Sequence, residues 1–287
     1  MARAIQRVMA SLAAAAVAVY TAGVLLLWHC PDRFVPFPES EVRQTPGVAG
    51  IRYTDVWLRA GPRREWVHGW FLPNGRNAPV ALLLHGTGRT IAGMVHVAAA
   101  IHEAGAAVLM IDYRGLGKSD RRLLTEATMY QDAEAAWHEL RWHQPDPALR
   151  LVYGHSLGGA VALELAARYP DVNGVVVEAT PTSVAALLRG SWAARLYPVD
   201  VMLAGRFDSA AKLRRLGAPL LVIHGKRDPI VAPSMGVELY LRARGDKRLL
   251  LVDGAAHSDA ATVGGAEYET AVERMLPPLR EPALAML

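Results

Sequence analysis

Six short apolar runs, all after residue 79, constrain the fold more than any other feature of this sequence. They are VALLLHG (80–86), AAVLMID (106–112), LRLVYGHS (149–156), GVVVEA (174–179), PLLVIHG (219–225) and RLLLVDG (248–254). None shows the polar–apolar alternation of a strand with one wet face, so each reads as a strand buried on both faces. Between them lie segments of helical character: 91–104, 129–143, 157–169, 233–243 and 266–276. This alternation predicts an α/β fold with a mainly parallel central sheet flanked by helices. Ahead of it, IRYTDVWLRA and EWVHGWFLP flank a Gly61-Pro62 turn signal and predict an antiparallel hairpin.

The first 30 residues follow different rules. Val8 to Trp28 carries no charge, and 21 residues at about 1.5 Å each span a hydrocarbon core of about 30 Å. No small-x-small site follows the apolar stretch, which favours a retained anchor over a cleaved signal peptide, although a cut in the alanine run near Ala18 stays open. Arg3 and Arg7 favour a cytoplasmic start, which puts the remaining domain on the non-cytoplasmic side. The expected organisation is an anchor with a short cytoplasmic tail over 1–30 and one catalytic domain over 31–287. CPDRFVPFPES, next in the chain, is expected to lie along the membrane surface or pack on the domain. The net charge is +4, but the basic residues are scattered. That suits an anionic lipid surface better than nucleic acid, and no nucleic-acid partner is expected.

Open sheets of this kind gather their active groups at the carboxyl ends of strands. At one such end stands Gly154-His155-Ser156-Leu157-Gly158, a G-x-S-x-G between an apolar run and a helical segment. With nine Ser and 25 Gly in 287 residues, chance predicts roughly 0.07 such matches. The competing role for Ser156 is an N-cap of the following helix. A nucleophilic serine needs a base and an orienting acid. His257, in the loop after the last apolar run, is the candidate base. His85 and His224 also end strands but sit in HG turns that suit packing roles. Asp228 follows PLLVIHGKR and is the candidate acid. Glu178 and Asp253 are its rivals, Asp253 being too close in sequence to swing under the His257 ring. The order Ser156, Asp228, His257 is that of nucleophile-elbow hydrolases. HGTG, His85 to Gly88, offers the Thr87 backbone N–H as one oxyanion donor, with the Leu157 N–H as the other. No HExxH, paired CxxC or P-loop is present, and no cofactor or metal is expected. Asp112 and Arg114, in IDYRGLGKSD, are expected to make structural contacts.

The stretches GWFLP, LLLHGTG, DYRGLGKSD, YGHSLGGAVALELAAR, EATPTS, VIHGKRDPIV and GAAHSD, over residues 50 to 260, resemble the α/β-hydrolase superfamily. Within it they are similar to the membrane-anchored branch called BEM46-like or ABHD13-like. HGTGRT stands where that branch commonly has HG-Asn-x-Gly-Asn, and Pro181 where it often has phenylalanine. The resemblance implies a serine hydrolase with Ser156, Asp228 and His257 as its triad and Thr87 and Leu157 as oxyanion donors.

The expected reaction is hydrolysis of an ester or thioester of an apolar acyl group, small or lipid-like. The segment 180–215 is longer than a simple crossover and reads as a small helical cap over the pocket. Two alternatives accompany this reading. One is a serine peptidase of the same fold, needing carboxylates in the cap to hold a substrate amine, where only Asp200 and Asp208 occur. The other is a catalytically silent membrane-anchored scaffold. Oligomeric state is not encoded in any pattern found.

Overall fold

A computed structural model describes residues 1–29, 44–75, 77–189 and 192–277. The proline-rich CPDRFVPFPES stretch lies outside the described residues. Helix α1 (Ala2–His29) is followed by the hairpin β1 (Thr54–Ala60) and β2 (Glu65–Leu72). Then come β3 (Val80–Leu84), α2 (Val95–Glu103), β4 (Ala107–Ile111), α3 (Glu126–His143), β5 (Arg150–His155), α4 (Leu157–Arg168) and β6 (Gly174–Glu178). Four short helices follow: α5 (Val184–Leu188), α6 (Trp192–Leu196), α7 (Val199–Met202) and α8 (Ser209–Lys212). The chain then forms β7 (Leu220–Gly225), α9 (Pro233–Arg242), β8 (Lys247–Val252) and α10 (Ala260–Glu273).

The eight strands make one sheet in the order β1-β2-β4-β3-β5-β6-β7-β8. The hairpin joins it antiparallel, and every pair from β4 onward is parallel. Every residue of β3, β4, β5, β6 and β7 is buried, as the non-alternating runs predict. The sixth run departs from that reading, since β8 is the edge strand of the sheet and buries only Leu250 and Val252. Two apolar layers cover the sheet. Met129, Trp137 and Leu163 pack one face from α3 and α4. Ile101, Tyr268 and Val272 pack the other from α2 and α10.

Two helix starts depart from the sequence reading. Helix α3 begins at Glu126, three residues before the apolar stripe. There the Thr125 side chain accepts from the Thr128 N–H, and Thr128 Oγ1 accepts from the Thr125 N–H at 2.8 Å. Such reciprocal caps extend a helix into polar sequence. Helix α10 begins at Ala260 rather than 266, with a non-helical break at Gly265 (φ 46). A Gly-Gly pair hides such a first turn from periodicity.

Register fixes where the chemistry sits. Leu84 of β3 pairs with Ile111 of β4 and Gly154 of β5, and His155 pairs with Glu178 of β6. The carboxyl ends are therefore level, and the residues after them share one edge. The strand order reverses between β3 and β5, the switch point where open sheets hold their ligands.

Candidate active site

Ser156 links β5 to α4 with φ 55 and ψ −126. A positive φ is strained for a residue with a Cβ, and it throws the side chain out of the turn. Two close approaches make the turn possible. A Cβ on Gly154 would lie 2.3 Å from the Gly158 carbonyl oxygen, and one on Gly158 would lie 2.2 Å from the Leu84 carbonyl oxygen. The first clash is with the helix start and the second with the neighbouring strand, so both glycines are needed for the elbow to close. As an N-cap, Ser156 makes no side-chain capping bond.

The serine hydroxyl instead faces His257. His257 Nε2 lies 3.2 Å from Ser156 Oγ, and His257 Nδ1 lies 2.7 Å from Asp228 Oδ2. These residues come from the ends of three strands, 101 and 29 positions apart along the chain. The carboxylate is held on both sides: Asp228 Oδ1 accepts the N–H groups of Ile230 and Val231 at 2.8 and 2.9 Å. His224 Nε2 stands 3.3 Å from Asp228 Oδ2 and 2.9 Å from the Val231 carbonyl oxygen. Burial pushes the Asp228 carboxyl up, but hydrogen bonds from His224, His257 and Val231 outweigh it and hold it well below the usual carboxylate range.

The two rival acids are placed elsewhere. Glu178 is fully buried with the Tyr153 and Tyr268 hydroxyls on its Oε2, the latter at 3.3 Å. Burial raises its pKa to about 6. Asp253 is exposed and pairs with Lys226 at 2.8 Å.

The loop after β3 lies directly against the elbow, where a Cβ on Gly86 would come 2.8 Å from Ser156 Cβ. Among the described residues no acceptor takes up the backbone N–H of Thr87 or of Leu157. His85 Nδ1 lies 2.6 Å from the Gly86 carbonyl oxygen, and His85 Nε2 lies 3.4 Å from Asp112 Oδ1. Asp112 also accepts the Ile91 N–H at 2.9 Å, so it braces both ends of the loop. Arg114 is fully buried against Asp132 at 2.5 Å and Glu65 at 2.6 Å. Both expected structural roles hold.

Two histidines that motif reading passes over also shape the site. His155 Nε2 meets the His257 carbonyl oxygen at 2.8 Å, and His96 Nε2 meets the Ser258 carbonyl oxygen at 3.1 Å. Each ring grips one of two consecutive carbonyls in the His257 loop. Burial, with the neighbouring His257, lowers His155 to about 3, and burial lowers His96 as well. His155 therefore stays neutral, with one N–H to donate. His155 is signalled only by its place inside the motif, and His96 by nothing local. No cluster of three or more metal-ligating side chains occurs among the described residues.

A mostly parallel sheet with a strained strand-to-helix serine at its switch point defines the α/β hydrolases. Comparisons with known proteins agree. A family model described as "Serine aminopeptidase, S33" matches residues 75–210. The uncharacterized protein Rv2307c of Mycobacterium tuberculosis is 30% identical over 270 residues, covering 91% of this chain and 93% of that protein. The uncharacterized protein YfhR of Escherichia coli is 29% identical over 246 residues, 83% of this chain and 84% of its own. An esterase of Pyrococcus furiosus, Pf2001, superposes with a TM-score of 0.69 at 21% identity, over 84% of this chain and 97% of its own. The chain belongs to the α/β-hydrolase superfamily and is a hydrolase.

Proposed function

We propose that the protein hydrolyses an ester or thioester of an apolar acyl group through an acyl-enzyme, as a member of the membrane-anchored BEM46-like branch. The observation that carries this reading is the continuous hydrogen-bonded line Asp228–His257–Ser156. His257 Nε2 takes the proton of Ser156 Oγ as that oxygen attacks the acyl carbon. The carbonyl oxygen becomes an oxyanion, met by the N–H groups of Thr87 and Leu157 at the positive end of α4. His257 then returns the proton to the leaving alcohol or thiol, and the acyl group stays on Ser156. Water repeats the sequence, releasing the acid and restoring the serine. The ionised Asp228 accepts the His257 Nδ1–H, which fixes the tautomer and steadies the imidazolium.

The segment 180–215 acts as a cap, with Ala185, Val199, Met202 and Leu203 as its own small core. Its two carboxylates are engaged. Asp208 accepts the Ala211 N–H at the start of α8, and Asp200 pairs with Arg189 at 2.9 Å. These existing partners support esters and thioesters over peptides as the substrate. Helix α1 is the membrane anchor. Its Arg3–Val24 stretch has a mean hydropathy of 1.5 and its apolar window is not buried within the protein, which sets it apart from a core helix.

Turnover of nitrophenyl esters and acyl thioesters of graded chain length by the full chain tests the reaction class. Activity that survives Ser156→Ala sinks the mechanism, and inert folded protein favours a scaffold.

A further inference from the structure

Helix α1 is docked on the cap. Tyr20, Gly23 and Val24 lie on one helix face, at spacings of three and four. The Tyr20 ring stacks on Tyr197, between α6 and α7, with centroids 5.5 Å apart and planes 6° from parallel. Val24 packs against the cap cluster of Ala185, Val199, Met202 and Leu203. A Cβ on Gly23 would lie 2.5 Å from the Tyr197 hydroxyl, so a larger residue there would push the Tyr197 ring off its stack on Tyr20.

Length then places the cap. The 28 residues of α1 extend about 42 Å, against a hydrocarbon core of about 30 Å. If the helix enters the core at Arg3, it leaves about 20 residues later, level with Gly23. If it enters at Val8, the docked turn lies deeper still. In the first register the cap residues that touch this turn are held at the bilayer surface, and in the second they enter its outer part. Tyrosine is the residue type enriched at that depth.

The outer face of the cap suits such a place. Leu196 and Val201 are 56% and 61% exposed, on α6 and α7. The exposed Arg195 lies beside Leu196, while the nearby Asp200 is already paired with Arg189. We infer that α6 and α7 form a bilayer-docking surface, with Leu196 and Val201 seated among lipid acyl chains and Arg195 facing anionic headgroups. The occupant is lipid because the face is continuous, through Tyr197, with a helix of membrane-spanning length. The inference rests on reading α1 as the anchor.

The test uses the full chain in phosphatidylcholine–phosphatidylglycerol vesicles, in a Cys30→Ser background. Single cysteines replace Leu12, Leu196, Val201 or Trp142 and carry an environment-sensitive fluorophore, with nitroxide-labelled lipid as quencher. Trp142 is 74% exposed at the far end of α3, near the opposite edge of the sheet. Probes at Leu12, Leu196 and Val201 are expected to be quenched and the Trp142 probe not. Adding Gly23→Leu should weaken quenching at Leu196 and Val201 several-fold and leave Leu12 unchanged. Quenching at Leu12 alone would overturn the docking surface and leave the anchor standing. No quenching at Leu12 would overturn both. Probes at Leu196 and Val201 shielded from aqueous iodide yet not quenched by lipid would mean a protein covers the face, and that too overturns the inference.

Discussion

His155 and His257 sit with ring centroids 5.1 Å apart, and the ring of the first is bonded to the backbone of the second at 2.8 Å. His155 precedes Ser156, so one short segment places the serine and also grips the loop carrying its partner histidine. This makes His155 a positioning residue. A displacement of about 1 Å at a reacting group costs up to about 100-fold in rate. His155→Phe is therefore expected to lower kcat about 10- to 100-fold with little change in KM. His155→Gln, which restores a donor, should recover most of the loss. Equal effects of Phe and Gln would show that ring packing alone matters. Because His155 is held neutral down to about pH 3, neither variant should shift the pH profile above pH 5.

Asp228 is distinguished from its rivals by what it touches. Asp228→Asn removes the acceptor that fixes the His257 tautomer and is expected to lower kcat about 10⁴-fold. Glu178→Gln and Asp253→Asn should stay close to wild type in kcat. A large loss in Glu178→Gln, with a small one in Asp228→Asn, would reassign the acid.

Glu178 has a different signature, in stability. Burial raises its folded pKa to about 6 from an ordinary value of 4.5. The folded state therefore binds this proton more tightly than the unfolded chain does. Stability from this group is fully present below the unfolded value and lost as pH rises through about 6. The loss is about 2 kcal/mol. Denaturant unfolding of wild type and Glu178→Gln at pH 4 and pH 7.5 should show the difference between them change by that amount, in favour of the variant at the higher pH. A pH-independent difference contradicts this account. Asp228 has the opposite sign: its low folded pKa stabilises above the unfolded value and loses effect as pH falls.

The elbow makes a steric prediction. A methyl on Gly158 meets the backbone oxygen of Leu84, which has no room to move in a buried strand. Gly158→Ala is expected to destabilise by about 3 kcal/mol. Gly88→Ala, where a Cβ meets open space, should change the denaturation midpoint little. Comparable effects at the two glycines would mean that the elbow tolerates a looser packing than its geometry indicates.

What sequence revealed and what it hid separate by range. Five of the six runs were legible as buried strands because a strand buried on both faces needs unbroken apolar sequence, as VALLL and LLVIH show, whereas RLLLV has the same look and forms the part-exposed edge strand β8. The meeting of Ser156, Asp228 and His257 was legible because each lies in the loop that follows such a run, and level strand ends bring those loops to one edge. The grip of His96 on Ser258 spans 162 positions and leaves no local pattern. The contact of Gly23 with Tyr197 was hidden for the same reason, since α1 reads locally as an apolar helix and nothing more. Thr125 and Thr128 extend α3 through side-chain caps, which apolar periodicity does not register.

The central claim is that Ser156 forms the acyl-enzyme, with His257 drawing off its proton. Its most direct measurement is reaction of the full chain with a fluorophosphonate probe, followed by peptide mass spectrometry. The account predicts one adduct per chain, on Ser156 in the GHSLG peptide, its formation slowed in His257→Ala and abolished in Ser156→Ala. Labelling of Ser156→Ala as strong as wild type, or an adduct on any other residue, would contradict it.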